Sequence, residues 1–145
     1  MRFILAIIAL FVISYSKTPI KGEQEYPVDK IREQNSKIIK MVVLEISKTL
    51  PQKVDKYTTI TAIRDENLTL VYTFEINSGS KSDEAIIKED RARMQKAVTR
   101  GVCKSSKRFL EADIDIVYEY KSATTKRELF RFYIDKQKCQ ELKDD

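Results

Sequence analysis

Residues 114–134 read IDIVYEYKSATTKRELFRFYI. Ile114, Ile116, Tyr118 and Tyr120 alternate with Asp115, Val117 and Glu119, and Phe130, Phe132 and Ile134 alternate with Leu129, Arg131 and Tyr133. Alternation of this kind places each set on one face of a strand, so the stretch predicts a β-hairpin that turns at Ser122–Thr125. The two aromatic sets share a face only if Tyr118 stands opposite Phe130, or in another register of the same parity. The connecting loop then holds three or five residues, not two. In the Tyr118–Phe130 register, Glu119 and Arg131 are diagonal neighbours on the solvent face.

Reading outward, Tyr57–Arg64 (YTTITAIR) is rich in β-branched residues, and Leu68, Leu70, Tyr72, Phe74 and Ile76 alternate with Thr69, Val71, Thr73 and Glu75. Around the turn Arg64–Asn67 these form an earlier hairpin, with one buried face on its second strand. Each hairpin follows a helical pattern. In the first, Pro27 opens a helix in which Val28, Ile31, Ile38, Val42, Ile46 and Leu50 make an apolar stripe, and Pro51 ends it. In the second, Ser82 is placed to cap a helix from about Asp83 to Val102, with Ile87, Met94, Val98 and Val102 on its apolar face. Ser105–Ala112 adds one short helical turn. The order α-β-β-α-β-β predicts an α+β fold, an antiparallel sheet with its helices packed on one face.

The chain has 145 residues, of which 42% are hydrophobic and 34% charged, as expected of a single domain with a real core and a solvated surface. It contains no histidine, which removes the commonest general base, zinc ligand and pH switch. No catalytic, metal, nucleotide or cofactor motif is present. Arg2 followed by the apolar run Phe3–Ile13 (FILAIIALFVI) and the small residues Ser14 and Ser16 reads as a signal peptide, residues 1–16, cut after Ser16. The run is shorter than the roughly twenty residues a spanning helix needs, so no membrane span is expected after cleavage. A polar leader, 17–26, precedes one domain over 27–145. The expected compartment is outside the cytoplasm, periplasmic or secreted.

Cys103 and Cys139 are the two cysteines. In an exported chain the simplest reading is a structural disulfide. A redox pair or a metal site are the other readings; the first favours Cys-x-x-Cys spacing and the second needs more ligands. With Cys139 at the end of the last strand, the bond would pin the second helix to the sheet.

A resemblance rests on Leu50-Pro51, Val54-Asp55 and Thr58, Leu68 and Tyr72, Val102-Cys103, Arg108 and Leu110, Tyr118-x-Tyr120 and the closing Cys139. Over about residues 40–139 the chain resembles a group of small exported bacterial proteins with a signal peptide and one disulfide. The resemblance implies the disulfide and the α+β fold, and implies no activity.

The sharpest functional signal is charge. The stretch 88–108 carries Lys88, Arg91, Arg93, Lys96, Arg100, Lys104, Lys107 and Arg108 against Glu89 and Asp90, in a chain of net charge +5. Arg93, Lys96, Arg100 and Lys104 fall on one helical stripe suited to an anionic envelope component or an acidic protein face; the plainer reading is a solvated helix face. Nucleic acid is not an expected partner for an exported chain. The aromatics of the second hairpin are expected mainly in the core, with any on the open face serving as a binding surface. Asp113, Asp115 and Glu119 are expected as solvent-face charges, and Asp115 and Glu119 stand about 13 Å apart along a strand, too far for a glycosidase pair. The functional expectation is an exported, non-catalytic interaction protein. The alternatives are a small inhibitor or accessory factor of a secretion or exclusion system, and an enzyme of unrecognised type.

Overall fold

A computed structural model describes residues 27–142; the expected signal peptide, its cut after Ser16 and the leader lie outside the described residues. Helix α1 spans Val28–Ser47, with Pro27 at the N-cap, its carbonyl accepting from Lys30 and Ile31 N–H. The apolar stripe buries Ile39 and half-buries Ile38, Val42, Val43 and Ile46. Val28 and Ile31, expected in that stripe, are exposed. Asn35 is buried in their stead, and its Nδ2 donates to the Ala112 carbonyl at 2.7 Å, pinning α1 to the segment before the second hairpin. The Leu50–Pro51 peptide is cis.

Five strands follow the order β1 (Gln52–Lys53), β2 (Thr58–Asp65), β3 (Thr69–Ile76), β4 (Asp115–Ser122) and β5 (Glu128–Ile134) across the sheet. Both expected hairpins are present, β2–β3 and β4–β5, each antiparallel. They join through a parallel β3–β4 pair. The crossover is α2 (Asp83–Ser105) followed by the single turn α3 (Lys107–Glu111). Strand β1 is an addition at one edge, pairing with Thr59 and Ile60.

Register builds two unlike faces. On one, cross-strand rows run Ile60–Phe74–Tyr120–Phe130 and Ile63–Tyr72–Tyr118–Phe132, with Leu70–Ile116–Ile134 beside them. These residues meet Ile39 of α1 and Ile86 and Val102 of α2 in one core, so the helices pack on the same sheet face. Each fully buried aliphatic side chain there contributes roughly 1.5–3 kcal/mol. The parity expected for the second hairpin holds, with a five-residue loop from Ala123 to Arg127, but Tyr118 faces Phe132 rather than Phe130. That two-residue shift sets Glu119 directly opposite Arg131 rather than diagonal to it.

Cys103 and Cys139 are bonded, with Cα atoms 5.5 Å apart and a sequence separation of 36. Cys139 is not at the end of the last strand. Asp135 ends β5 and caps a further short helix, α4 (Lys136–Glu141), by accepting from Lys138 N–H at 2.9 Å. The disulfide therefore joins α2 to α4. Edge strand β5 has two carbonyls covered by cations: Arg91 donates to Leu129 O and Lys138 to Tyr133 O, which blunts the edge against pairing with another chain.

Candidate functional site

Helix α2 begins where Ser82 Oγ accepts from Ala85 N–H at 3.2 Å. Its first turn is tied to the β4–β5 loop by Thr125 on Asp83 and Arg127 on Glu84. From that anchored start the helix carries Arg93, Lys96, Arg100 and Lys104, all exposed. Arg93 donates to Asp90 at 2.8 Å, and Lys81 approaches the same carboxyl at 3.2 Å. Arg93 first and then Lys81 hold Asp90 below the usual carboxylate range. Lys96, Arg100 and Lys104 make no ion pair among the described residues.

Along the next side of α2 runs a groove. One stretch, about 860 Å3, is lined by Met94, Ala97, Val98, Gly101 and Ser105 of α2 and floored by Ile60, Tyr72, Phe74, Tyr118 and Tyr120. Its other lip is the segment 52–55. A second stretch of about 620 Å3 continues it past Met94 to Ile86 and Tyr57. The two share Asp55, Thr58 and Met94. On the lip, Val54 is 59% and Tyr57 58% exposed. Asp55 shapes this lip by accepting from the backbone N–H of Tyr57 and Thr58, both at 2.8 Å; the bond from Tyr57 is the main cause of its lowered pKa.

The floor is an aromatic sheet surface. Tyr72 and Tyr118 lie with ring centroids 5.4 Å apart, Phe74 and Tyr118 at 4.7 Å, and Phe74 stacks on Tyr120 at 4.8 Å. Tyr72 and Tyr118 are half-buried. Burial, with Tyr118 adjacent, pushes the Tyr72 phenol up to about 12, and burial likewise raises Tyr118 and Tyr120. All three stay neutral near pH 7, so they offer hydroxyl groups and apolar rings rather than a base or a nucleophile. Tyr120 is 7% exposed and its hydroxyl has no hydrogen-bond partner among the described residues, yet no enclosed side-chain polar atom among them is left unpaired. That hydroxyl therefore opens into the groove it lines.

The carboxylates expected on the solvent face have other roles. Glu119 is 5% exposed, and this corrects its reading as a solvent-face charge. It accepts from Arg64 at 2.9 Å and from Thr73 Oγ1 at 3.0 Å, and Arg131 stands 3.6 Å away. Glu66 bridges the same two arginines at 2.7 and 2.5 Å, closing a four-membered ion ring over strands β2 to β5. Burial raises the Glu119 pKa, but the bonds from Arg64 and Thr73 and the charges of Arg64 and Lys121 outweigh it, and the net shift is downward. Asp115 accepts from the Tyr133 hydroxyl, and Asp113 occupies a left-handed turn position at φ 59°. Among the described residues no cluster of His, Cys, Asp or Glu is arranged to hold a metal, and no helix is long and apolar enough to cross a membrane.

The sequence signal put the basic stripe on one side of α2, where its residues are exposed, and sent most of the aromatics to the core, where Phe130, Phe132 and Tyr120 lie. The open sheet face on which it expected any aromatic binding surface holds Tyr133, however, while Tyr118 lines the groove on the helix side. It missed the groove, which is assembled from the 52–58 lip, β3, β4 and α2. The one local hint was a glycine inside an otherwise helical pattern, Gly101.

The model of a domain family described as a domain of unknown function, DUF8479, matches residues 33–130. No curated protein matches the sequence. Among solved structures, the chain is similar to a Pseudomonas aeruginosa protein described as a candidate secreted protein, with TM-score 0.66 and 14% identity, covering 75% of this chain and 96% of that one. It is similar to the type 2 secretion system pilotin EpsS of Vibrio vulnificus, with TM-score 0.63, 10% identity and coverage of 77% and 97%. It is also similar to the type II secretion system pilotin AspS of Vibrio cholerae, with TM-score 0.59, 15% identity and the same coverage. At these identities the likeness is one of fold.

Proposed function

We propose that this chain, which belongs to the domain family of unknown function DUF8479, is an exported, non-catalytic interaction protein that holds a segment of a partner protein in the groove beside α2. The observation that carries the reading is the aromatic floor at Tyr72 and Tyr118, continuous with exposed Val54 and Tyr57 on the lip and covered by no other described element. An apolar surface of this kind, rimmed by charge, is characteristic of a site for protein contact. Export is supported by the signal-like run Phe3–Ile13 and by the disulfide. A binding role is supported by the carboxylates: Glu119, Glu66 and Asp115 are engaged by a cation or a hydroxyl away from the groove, and the two that line it, Asp55 and Asp90, are held by the Tyr57 and Thr58 N–H groups and by Arg93 with Lys81. The description of two similar folds as type II secretion system pilotins favours a secretion-related protein-interaction role, and an accessory factor of such a system would use the same groove.

Crosslinking in intact cells, with a tagged full-length chain, tests this. Ala97 and Ala92 are both exposed on α2, but only Ala97 lines the groove. The parent and Ala92→Trp should recover the same discrete partner, and Ala97→Trp should lose it. Recovery of no partner by the parent, or equal recovery by both variants, contradicts the reading.

A further inference from the structure

Gly101 stands in the interior of α2, where glycine is the poorest residue short of proline because it leaves the most backbone freedom to be lost. A Cβ built there meets nothing within 4 Å. The free protein has no packing reason for a glycine at this position, and alanine would make a better helix. With Ala97 and Ser105 one turn to either side, Gly101 forms a seam of small side chains along the groove wall. On the floor of the same groove is the unpartnered Tyr120 hydroxyl, on a residue only 7% exposed. Arg93, Arg100 and Lys104 lie three or four residues from Ala97 or Gly101 and so flank the seam on the helix surface. Lys53 and Lys56 stand on the opposite lip, and Asp55 between them is engaged by the Tyr57 and Thr58 N–H groups. Lys53, Lys56, Arg100 and Lys104 make no ion pair among the described residues, whereas groove-lining Asp90 is neutralised by Lys81 and Arg93.

We infer that the groove takes an amphipathic helix of a partner protein, apolar on its buried face and carrying Asp or Glu on both flanks, with its closest approach at Gly101. The inference rests on the groove reading above and adds the chemical class of the occupant. Apolar side chains settle on Tyr72 and Tyr118, a polar side chain of the helix pairs with the Tyr120 hydroxyl, and the flanking carboxylates meet the two cationic rims. The groove follows α2 from Ile86 to Ser105, about 28 Å at helical rise, room for a helix of four to five turns.

The test uses fluorescein-labelled synthetic helices of about 18 residues with the purified protein. One has leucine on one face and glutamate on both flanks; in the other every glutamate is lysine. By fluorescence anisotropy the acidic helix should bind at least roughly tenfold tighter than the lysine helix, and should weaken as salt rises. Gly101→Leu should cut its binding at least roughly tenfold while keeping the circular dichroism spectrum, and Gly101→Ala should raise the melting temperature by roughly 4 °C. Equal binding of the two helices, or undiminished binding by Gly101→Leu, overturns the inference. So does binding to phosphatidylglycerol vesicles that Arg100→Glu with Lys104→Glu abolishes and Gly101→Leu leaves intact, since the rim then serves a lipid surface. If neither helix binds although Ala97→Trp strips a partner from the chain in cells, the groove reading stands and this inference falls. If cells yield no partner either, both fall.

Discussion

Replacing Glu119 by glutamine keeps the shape of the side chain and removes its charge, so it isolates what the buried end of the ion ring contributes. Glu119 is 5% exposed and receives Arg64 at 2.9 Å and Thr73 at 3.0 Å, with Arg131 at 3.6 Å. A hydrogen bond to a charged group is worth about 1.5–3 kcal/mol net. The Arg64 and Arg131 side chains keep 39% and 36% of their exposure, so both regain water when the charge goes, and the expected loss falls to about 1–2 kcal/mol. That corresponds to a melting temperature lower by roughly 6 °C for a domain of this size. Glu66→Gln removes the outer carboxylate, 43% exposed, and should cost less than about 0.5 kcal/mol. Urea unfolding followed by circular dichroism at pH 7 reads both. The ring also sets a pH dependence. The net Glu119 shift is downward, burial opposing and the Arg64 and Thr73 bonds prevailing; Glu66 is lowered chiefly by Arg64. A lowered carboxylate contributes stability that is present above its unfolded value near 4.5 and is lost as pH falls through the folded value. The parent should therefore lose stability below about pH 4.5, and Glu119→Gln should lose less over the same window. Equal costs at positions 119 and 66, or an unchanged acid limb in Glu119→Gln, would refute the reasoning.

Reduction of the disulfide, or Cys103→Ser with Cys139→Ser, should lower stability by about 3–4 kcal/mol through the loop it closes, read as a lower urea midpoint with and without reductant. Asn35→Ala should cost about 1–2 kcal/mol, because the Ala112 carbonyl loses its donor at a buried contact; the same unfolding curves measure it. Ser82→Ala removes the α2 cap and should cost about 1 kcal/mol, seen first as faster amide hydrogen exchange in the initial turn of α2.

Much of the fold was legible because its period was local. The alternation at 114–120 and 129–134 gave the second hairpin and its parity, and Ser82 marked the start of α2. What stayed hidden was set by distant contacts. The parallel β3–β4 pairing leaves Val71 and Val117 buried on the face opposite the helices, and an apolar residue at both parities is the mark of a central strand; read alone, each passed as part of a polar face. Strand β1, two residues long, carries no periodicity of its own. Val28 and Ile31 fit the helical stripe of α1, but the sheet lies nearer Asn35 and Ile39, and position along the helix decided which were covered. Glu119 looked solvated because its partners Arg64 and Thr73 are 55 and 46 residues away. The basic stripe of α2 was visible from spacing alone. The groove beside it was not, since its floor and lip come from three other segments.

The most direct test of the central claim places a photoreactive p-benzoylphenylalanine at Tyr72, on the groove floor, or at Tyr133, exposed on the opposite sheet face, in the full-length chain in living cells. The account predicts a discrete protein adduct from position 72 and none from position 133. Adducts from 133 with none from 72, or the same adducts from both, would contradict it.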